Sequence, residues 1–412
     1  MAETSSRMEH AMRQHTEPMR PADARDGRGG PMSSPRPFVD FYTAHGISPV
    51  AQNISDLRRH FQIRDALYRH LGIPPRLIAG ASVVEFGPGS GHNALFTQSL
   101  GPARYLLVDA NPTGIARTRA LLAEHRTGGA EPEIVASLIQ EFRSEERFDL
   151  VLCEGVIPTQ RNPADFLRHV AGFAAPGGVV VLTCMDSVSY LSELLRRLLA
   201  LALTREDEPL QERVERLLPV FGPHLDSLRG MTRPHGDWIM DNLLQPFHGP
   251  LFSMAEAMEA LRGAYSPHGS SPHFLADWRW HKTIHDEERL RTHEAALDAY
   301  AANVHSLLDH RQVFAPRAPE ENRRLVELCD AICACVYAFA DSRGRDQLEK
   351  VAELLEPLAS EVGRFSPDLA LALRQYLAVL RGYLQNGSVG GFQSFASLFG
   401  RGQQYLSFIR EG

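Results

Sequence analysis

The chain has 412 residues, of which 43% are hydrophobic and 23% are charged, and its formal net charge at pH 7 is −7. This length exceeds what one ordinary core needs, so two or three structural units are expected. A nucleic-acid-binding protein normally presents a basic face, so the acidic balance disfavours that class, and we expect no nucleic-acid partner.

The N-terminal segment 1–36 has no apolar region of the kind that marks a secretory signal, and its Pro, Gly, Ser and Arg content predicts a disordered tail. Charged residues interrupt the most apolar stretch, 190–203, which is shorter than the ~20 residues of a membrane span, so no membrane partner is expected. The five cysteines are an odd number, which suits a reducing cytoplasm better than a disulfide framework.

From the start of the expected order, near Pro37, apolar residues at helical spacing predict N-terminal helices within 37–80. Strands then alternate with helical stretches. The strands are predicted at 82–86, 105–108, 133–137, 148–153 and 179–183. Such alternation predicts a parallel sheet wound by right-handed crossovers, so 81–186 is expected to form a doubly wound α/β core.

After Asp186 the pattern changes to long helical stretches. We predict a helical insertion that acts as a lid at 187–262. Two final core strands are expected within 263–286, at 263–268 and 278–284. Residues 287–412 are predicted to form a C-terminal all-helical domain.

A glycine-rich segment, Glu85-x-Gly87-x-Gly89-x-Gly91, follows the first strand and opens a helix. Glycine permits positive φ and a close approach of backbone to a ligand, and a helix N-terminus presents amide donors. A dinucleotide fingerprint needs Gly or Ala where this chain has His92. A carboxylate at Glu85 instead suits the cationic ammonium and sulfonium of S-adenosyl-L-methionine (SAM).

Four segments in this order resemble the class I SAM-dependent methyltransferases, which have a Rossmann-like core. They are VVEFGPGSG at 83–91, YLLVDAN at 105–111, FDLVLCEGVIP at 148–158 and APGGVVVLT at 175–183. The resemblance implies SAM as the cofactor, with the glycine loop on its methionine part, Asp109 on the ribose, residues 138–141 flanking adenine and the end of the fourth strand facing the methyl group. The implied cofactor-binding residues are Glu85, Gly87, Gly89, Gly91, Asp109, Ala110, Gln140 and Glu154.

The fourth motif also bears on the acceptor, because it lacks the Asn/Asp-Pro-Pro-Tyr pattern associated with methylation of base amino groups or glutamine amides. The helical additions are typical of methyltransferases that act on small molecules, because a cover excludes water, so we expect a small-molecule acceptor. The class, and not these residues, suggests a hydroxyl of a sugar or natural product as the methylated group. Such an acceptor usually needs a general base, and the candidate catalytic residues are His235, Asp237 and His273. The three tryptophans, all within 231–285, are expected to form aromatic walls beside them.

Two other functions remain open from the residues alone. A SAM-binding scaffold without catalytic activity could use the helical third of the chain as a partner surface, and a nicotinamide-dependent dehydrogenase is disfavoured only by His92. Neither Cys329-x3-Cys333-x-Cys335 nor His281-x3-His285 has the ligand set of a zinc site, so no metal is expected. The oligomeric state cannot be inferred from the residues.

Overall fold

The computed structural model describes residues 37–45, 52–125, 130–231 and 233–412. The tail predicted for 1–36 lies outside these described residues.

One seven-stranded sheet forms the centre of the protein, with the order β3-β2-β1-β4-β5-β7-β6. Its strands are β1 (Ser82–Phe86), β2 (Arg104–Asp109), β3 (Glu133–Ala136), β4 (Phe148–Cys153), β5 (Ala174–Cys184), β6 (Tyr265–Ser271) and β7 (Gln404–Arg410). The first five strands are parallel, and β7 runs antiparallel to both β5 and β6. The predicted doubly wound α/β class is therefore confirmed.

The core strands are apolar on both faces because helices cover both sides of the sheet. Val83 and Leu107 belong to one hydrophobic cluster, and Val84 and Phe86 belong to another on the opposite face. The helices of this part are α1 (Pro37–Ala44), α2 (Leu57–His70), α3 (Pro75–Ile78), α4 (His92–Ser99), α5 (Pro112–Glu124) and α6 (Pro163–Ala171). The five parallel strands therefore have their carboxyl ends at the same edge of the sheet, which is where ligands of open α/β sheets bind.

The sheet is completed differently from the prediction. The strand expected near 263–268 exists as β6, but the one expected at 278–284 is wrong, since 281–283 forms a 3-10 turn within a loop. The strand β7, from the last ten residues of the chain, inserts between β5 and β6 instead. The alternation of large and polar residues at 278–284 is typical of a strand. The position beside β5 in the sheet, however, is occupied by β7.

The remaining helices are α7 (Leu191–Leu203), α8 (Leu210–Asp226), α9 (His235–Ile239), α10 (Met254–Leu261), α11 (Asp286–Leu290), α12 (Thr292–Asn303), α13 (Pro319–Ser342), α14 (Arg345–Val362), α15 (Pro367–Asn386) and α16 (Gln393–Ala396), with a π-helical turn at Met240–Leu244. The buried apolar residues of α10 and α12 belong to a hydrophobic cluster of the sheet. The helices α7 to α9 and α13 to α16 share a separate hydrophobic cluster and form a second layer that we call the helical body. Helices from the predicted insertion and from the C-terminal region share one hydrophobic core, which includes Leu198, Phe221 and Leu355. The C-terminal helical region is confirmed, and it packs with the insertion as one body.

None of the helices in the described ranges combines the length and apolar character that crossing a membrane requires. Among the residues described, no three His, Cys, Asp or Glu side chains come together in a way that could hold a metal ion. The cysteine run lies on α13, where Cys329 and Cys335 are buried in the core of the helical body.

Candidate active site

The glycine loop lies at the carboxyl end of β1, and three of its glycines have left-handed backbone. The φ angles of Gly87, Gly89 and Gly91 are 70°, 59° and 79°, a region that L side chains rarely adopt. A Cβ atom at Gly87 would lie 2.6 Å from Cγ2 of Val156, and one at Gly91 would lie 2.9 Å from Cγ2 of Thr118. The loop therefore requires glycine for conformation and for space.

Glu85 lies at the end of β1 with only 5% of its surface exposed. The hydroxyl of Tyr105 on β2 donates a hydrogen bond to its Oε2. Burial, and then the nearby Glu154 carboxylate, raises the pKa of Glu85 to about 7. The free protein thus holds a carboxyl group whose charge is costly and which a bound cation would stabilise.

Asp109 ends β2 and helps to shape the glycine loop. Its Oδ2 accepts a hydrogen bond from the Gly89 amide at 3.3 Å, and its Oδ1 accepts one from the Asn111 amide at 2.8 Å. Burial raises the pKa of Asp109, while these backbone donors act in the opposite direction. The carboxylate is therefore fixed in place and half-buried at the same edge as Glu85.

An ion pair that the sequence analysis missed lies beside Glu85. Arg64 on α2 donates two hydrogen bonds to Glu154, the residue after β4, at 2.8 and 2.6 Å. Both side chains are nearly buried, with 5% and 10% exposed. Burial opposes the charge of Arg64, but the Glu154 carboxylate together with Tyr68 and Tyr405 raises the pKa of the guanidinium.

A periodic pattern could have indicated this contact. The buried residues of α2 are His60, Arg64 and Tyr68, which stand four residues apart and form a polar stripe. A polar stripe that faces inward on a helix needs polar partners, so it indicates a site and not a plain core contact. The prediction of α2 rested on its apolar residues, which lie on a different face of the helix.

Two further observations test whether these residues fit the implied cofactor. Within the described part of the chain, the ring atom Nδ1 of His92 and the Nε of Arg64 are buried and have no hydrogen-bond partner. The same edge holds the buried carboxyl group of Glu85 and the half-buried carboxylate of Asp109, which can meet a cation and a pair of hydroxyls. A ligand with an ammonium group, a carboxylate and ribose hydroxyls, as SAM has, matches this set of groups.

The other implied cofactor residues lie around this edge. Ala110 is half-buried directly after Asp109, and Gln140 is exposed in the 3-10 turn Ile139–Glu141 that follows β3. The backbone oxygen of Gln140 accepts a hydrogen bond from Arg143 at 2.7 Å. Their side chains remain predicted contacts.

The three predicted catalytic residues do not come together. His235 begins α9, with Nε2 3.7 Å from Oδ1 of Asp226 on α8, and Asp237 lies two residues further on in the same short helix. His273 is exposed beside α2, where its Nδ1 lies 3.3 Å from the backbone oxygen of His70. His273 thus contacts a different element from His235 and Asp237, and the catalytic role of each residue stays a prediction.

The predicted aromatic walls are wrong for a similar reason. Trp238 is buried in the helical body, with its ring 6.1 Å from that of Phe399. Trp278 and Trp280 are 96% and 63% exposed. Proximity in sequence placed these residues in one segment, but the segment divides between the helical body and a surface loop.

A cavity of about 1070 Å³ lies instead between the sheet and the helical body. Its walls come from the residues after β5, from 247–256, and from one face of α13. Asp186 and Tyr300 meet in its wall, where the tyrosine hydroxyl donates to Oδ2 of Asp186 at 2.9 Å. The sequence analysis assigned no ligand to these residues.

Residues 57–217 match a family model described as a methyltransferase domain. The tRNA U34 carboxymethyltransferase of Methylococcus capsulatus is 30% identical over 142 residues, which are 34% of this chain and 40% of the relative. The ubiquinone biosynthesis O-methyltransferase of a Methylobacterium species is 32% identical over 121 residues, 28% of this chain and 47% of the relative. The chain thus spans less than half the length of either curated relative.

Solved structures of methyltransferases are also similar in part. The N-methyltransferase NodS of Bradyrhizobium japonicum, with bound S-adenosyl-L-homocysteine, is 19% identical at a TM-score of 0.27 and covers 33% of this chain and 64% of its own. The magnesium protoporphyrin IX methyltransferase of Synechocystis is 15% identical at a TM-score of 0.32 and covers 60% and 82%. At such low scores neither structure adds to the assignment.

The family match covers the segment that contains the glycine loop, Asp109 and strands β1 to β5. The match of residues 57–217 to a methyltransferase domain therefore agrees with the predicted resemblance to the class I SAM-dependent methyltransferases and with SAM as the implied cofactor.

Proposed function

We propose that the protein transfers a methyl group from SAM to a small-molecule acceptor, at a hydroxyl of a sugar or natural product. The observation that supports this proposal best is the convergence of the glycine loop, Glu85 and Asp109 at the carboxyl edge of the sheet. When bound, SAM supplies a methyl group on a cationic sulfur; the acceptor oxygen bonds to that carbon as the bond to sulfur breaks, and the hydroxyl proton passes to a base or to water.

The residues at this edge have separate proposed tasks. Glu85 attracts the ammonium group, Asp109 accepts hydrogen bonds from the ribose hydroxyls, and Ala110 and Gln140 lie along the nucleoside. Arg64, through its unpartnered Nε, is available to the carboxylate of the cofactor. Glu154 holds Arg64 in place and faces the reacting methyl group.

The two curated relatives carry names with different acceptors, a tRNA and a ubiquinone precursor pathway, so they do not select one for this chain. The net charge of −7 favours a small molecule over a polyanion. The helical body supplies a cover beside the sheet, as exclusion of water from a small substrate requires. A role as general base for His235, Asp237 or His273 stays a prediction for each residue separately.

Turnover can be tested before the acceptor is known. The protein is mixed with SAM and a low-molecular-weight cell extract, and S-adenosylhomocysteine is measured by mass spectrometry. We expect its formation to depend on the extract and to vanish in Gly89→Val, because a β-branched side chain cannot keep φ at 59°. Gly230→Val, at φ 84° but with open space around it, is the matched control for backbone strain.

Two results would contradict the proposal. SAM binding without turnover on any extract would favour a scaffold over an enzyme. Equal S-adenosylhomocysteine formation by wild type and Gly89→Val would show that the loop does not approach the cofactor.

Cofactor affinity is expected to depend on the ionisation of Glu85. With a pKa of about 7 in the free protein, the carboxyl group is mostly neutral at pH 5.5 and half ionised at pH 7. Only the ionised form attracts an ammonium group, and the amine of SAM stays protonated over this range. The affinity for SAM should therefore rise about tenfold from pH 5.5 to pH 7. Since the bound form needs an ionised Glu85, SAM binding should release protons in this range.

Calorimetry across this pH range measures the effect, with Glu85→Gln as the partner variant. The glutamine variant should bind SAM more weakly at pH 7 and show a nearly flat profile. A profile in the variant as steep as in the wild type would assign the pH dependence to another group.

A further inference from the structure

The cavity of about 1070 Å³ has one wall formed by a single face of α13. The residues of this wall recur at helical spacing, at Arg323, Val326, Asp330, Ala334, Tyr337 and Asp341. The opposite face of the helix, with Leu325, Leu328 and Ile332, is buried in the helical body. α13 thus anchors itself with one stripe and presents a second, polar and aromatic stripe to the cavity.

The other wall lies at the edge of the sheet that carries the proposed cofactor site. Asp186 and Ser187 follow β5 directly, and the segment at 249–250 contacts the loop after β4, where the Thr159 amide donates to the Pro250 oxygen at 2.9 Å. The Gly155 amide in that loop donates to Oγ1 of Thr183 on β5 at 2.7 Å. The cavity is therefore built on the ends of β4 and β5.

Hydrogen bonds join the two walls and give the cavity a defined shape. Ser187 donates to Oδ1 of Asp330 at 2.5 Å, and the Tyr337 hydroxyl donates to the backbone oxygen of Gly249 at 3.0 Å. The volume is near the upper end of what small-molecule sites occupy, roughly 300 to 1,000 Å³.

The chemistry of the walls favours one class of ligand. Five carboxylates and one guanidinium line the cavity, together with the rings of Phe247, Tyr300 and Tyr337. Asp330 lines the cavity as an exposed residue, and its Oδ1 accepts a hydrogen bond from Ser187. Burial raises the pKa of Asp330, while its exposed position leaves the carboxylate accessible to a cation in the cavity.

We propose that this cavity binds the methyl acceptor, and that the acceptor carries a protonated amine on an aromatic or alicyclic body in addition to its hydroxyl. The identification of the ligand as the methyl acceptor rests on the proposed function, whereas the preference for an amine rests on the cavity alone. Asp330 meets the ammonium group, and the rings of Tyr337 and Phe247 pack against the body of the ligand.

Three small probes that differ in one group test the preference. Tyramine carries an ammonium group, tyrosol a neutral hydroxyl and 4-hydroxyphenylacetate a carboxylate on the same phenol. Binding to the full chain is measured by calorimetry or by ligand-observed NMR. We expect tyramine to bind at least about tenfold more tightly than tyrosol, with the anion weakest.

Variants test whether tyramine binds beside Asp330. Asp330→Asn should remove most of the preference of the protein for tyramine over tyrosol. Glu353→Gln loses one exposed carboxylate on α14, outside the cavity, so this control variant should keep the preference. In the extract assay, Asp330→Asn should lower S-adenosylhomocysteine formation while SAM affinity stays within a few-fold.

The outcomes separate the two proposals. Equal binding of the three probes, or an unchanged preference in Asp330→Asn, would overturn the amine site. A tyramine preference in the wild type that Asp330→Asn abolishes, together with full turnover in Asp330→Asn, would overturn the acceptor assignment and keep the amine site. Absence of SAM binding in the wild type would overturn the proposed function, and it would leave the probe measurements as a separate result.

Discussion

Replacing Asp109 by alanine is expected to weaken SAM binding by about one to three orders of magnitude. Hydrogen bonds to a charged group contribute about 1.5 to 3 kcal/mol each, and 1.4 kcal/mol corresponds to tenfold in affinity. Asp109→Ala removes the acceptor proposed for the ribose and also releases the Gly89 and Asn111 amides. Calorimetric titration with SAM and with S-adenosylhomocysteine measures the loss.

Asp149 offers a matched control. Its carboxylate accepts a hydrogen bond from the Ser82 amide at 2.8 Å, so Asp149→Ala also frees a backbone donor, but at the opposite end of β1. This variant should bind SAM like the wild type. The assignment of Asp109 fails if its alanine variant keeps wild-type affinity, or if both variants lose affinity equally.

The sheet and the glycine loop could be predicted because both are encoded by neighbouring residues. Val83 to Phe86 form an apolar strand, and Gly87, Gly89 and Gly91 follow at once, so strand, turn and helix start are read from ten consecutive positions. Asp109 is found in the same way, at the end of the next strand. Local patterns of this kind need no knowledge of tertiary contacts.

Contacts between distant segments could not be predicted in this way. Arg64 and Glu154 are 90 residues apart, and β7 pairs with β5 across more than 220 residues. Each partner alone has an ordinary explanation, as a surface arginine, an acidic loop residue or the end of a helical domain. Only the fold shows that the last strand of the chain completes the sheet beside the site.

The tryptophan segment shows the opposite error, in which sequence proximity suggested a contact. Trp238 packs in the helical body, whereas Trp278 lies almost fully exposed in the loop that follows β6. The residues between them include α10 and β6, which carry the chain from one layer to another. Residues that are unusual and near in sequence therefore need not share a pocket.

A buried arginine joins the helical body to the segment that leads into β7. Arg196 on α7 is fully buried and donates to the backbone oxygens of Phe395, Ala396 and Leu398 at 3.2, 3.1 and 2.8 Å. Its guanidinium carbon lies 3.9 Å from the centre of the Phe399 ring. Burial lowers the pKa of Arg196 to about 10, so the side chain still carries its charge at neutral pH.

The partner on the other side of this arginine is a neutral histidine. Nε of Arg196 donates to Nδ1 of His224 at 3.1 Å, and burial, with the adjacent guanidinium, lowers the pKa of His224 to about 3. A neutral ring can accept this hydrogen bond, whereas a protonated ring could not. Most acceptors around Arg196 are thus uncharged groups that would be left unsatisfied without it.

Arg196→Met is therefore expected to destabilise the protein by about 3 to 5 kcal/mol, because it leaves buried carbonyl oxygens without donors. For a chain of this size the melting temperature should fall by roughly 4 to 6 °C. Arg381→Met, on the exposed face of α15, is the control and should melt within about 1 °C of the wild type, as surface substitutions usually do.

Thermal melts with and without saturating S-adenosylhomocysteine distinguish a structural role of Arg196 from a cofactor-binding role. Arg196 stabilises the segment before β7 and does not touch the glycine loop. The stabilisation by ligand should therefore be the same in the variant as in the wild type. A variant that melts like the wild type would show that the carbonyl oxygens find other donors, and a loss of ligand stabilisation would place Arg196 in the cofactor site.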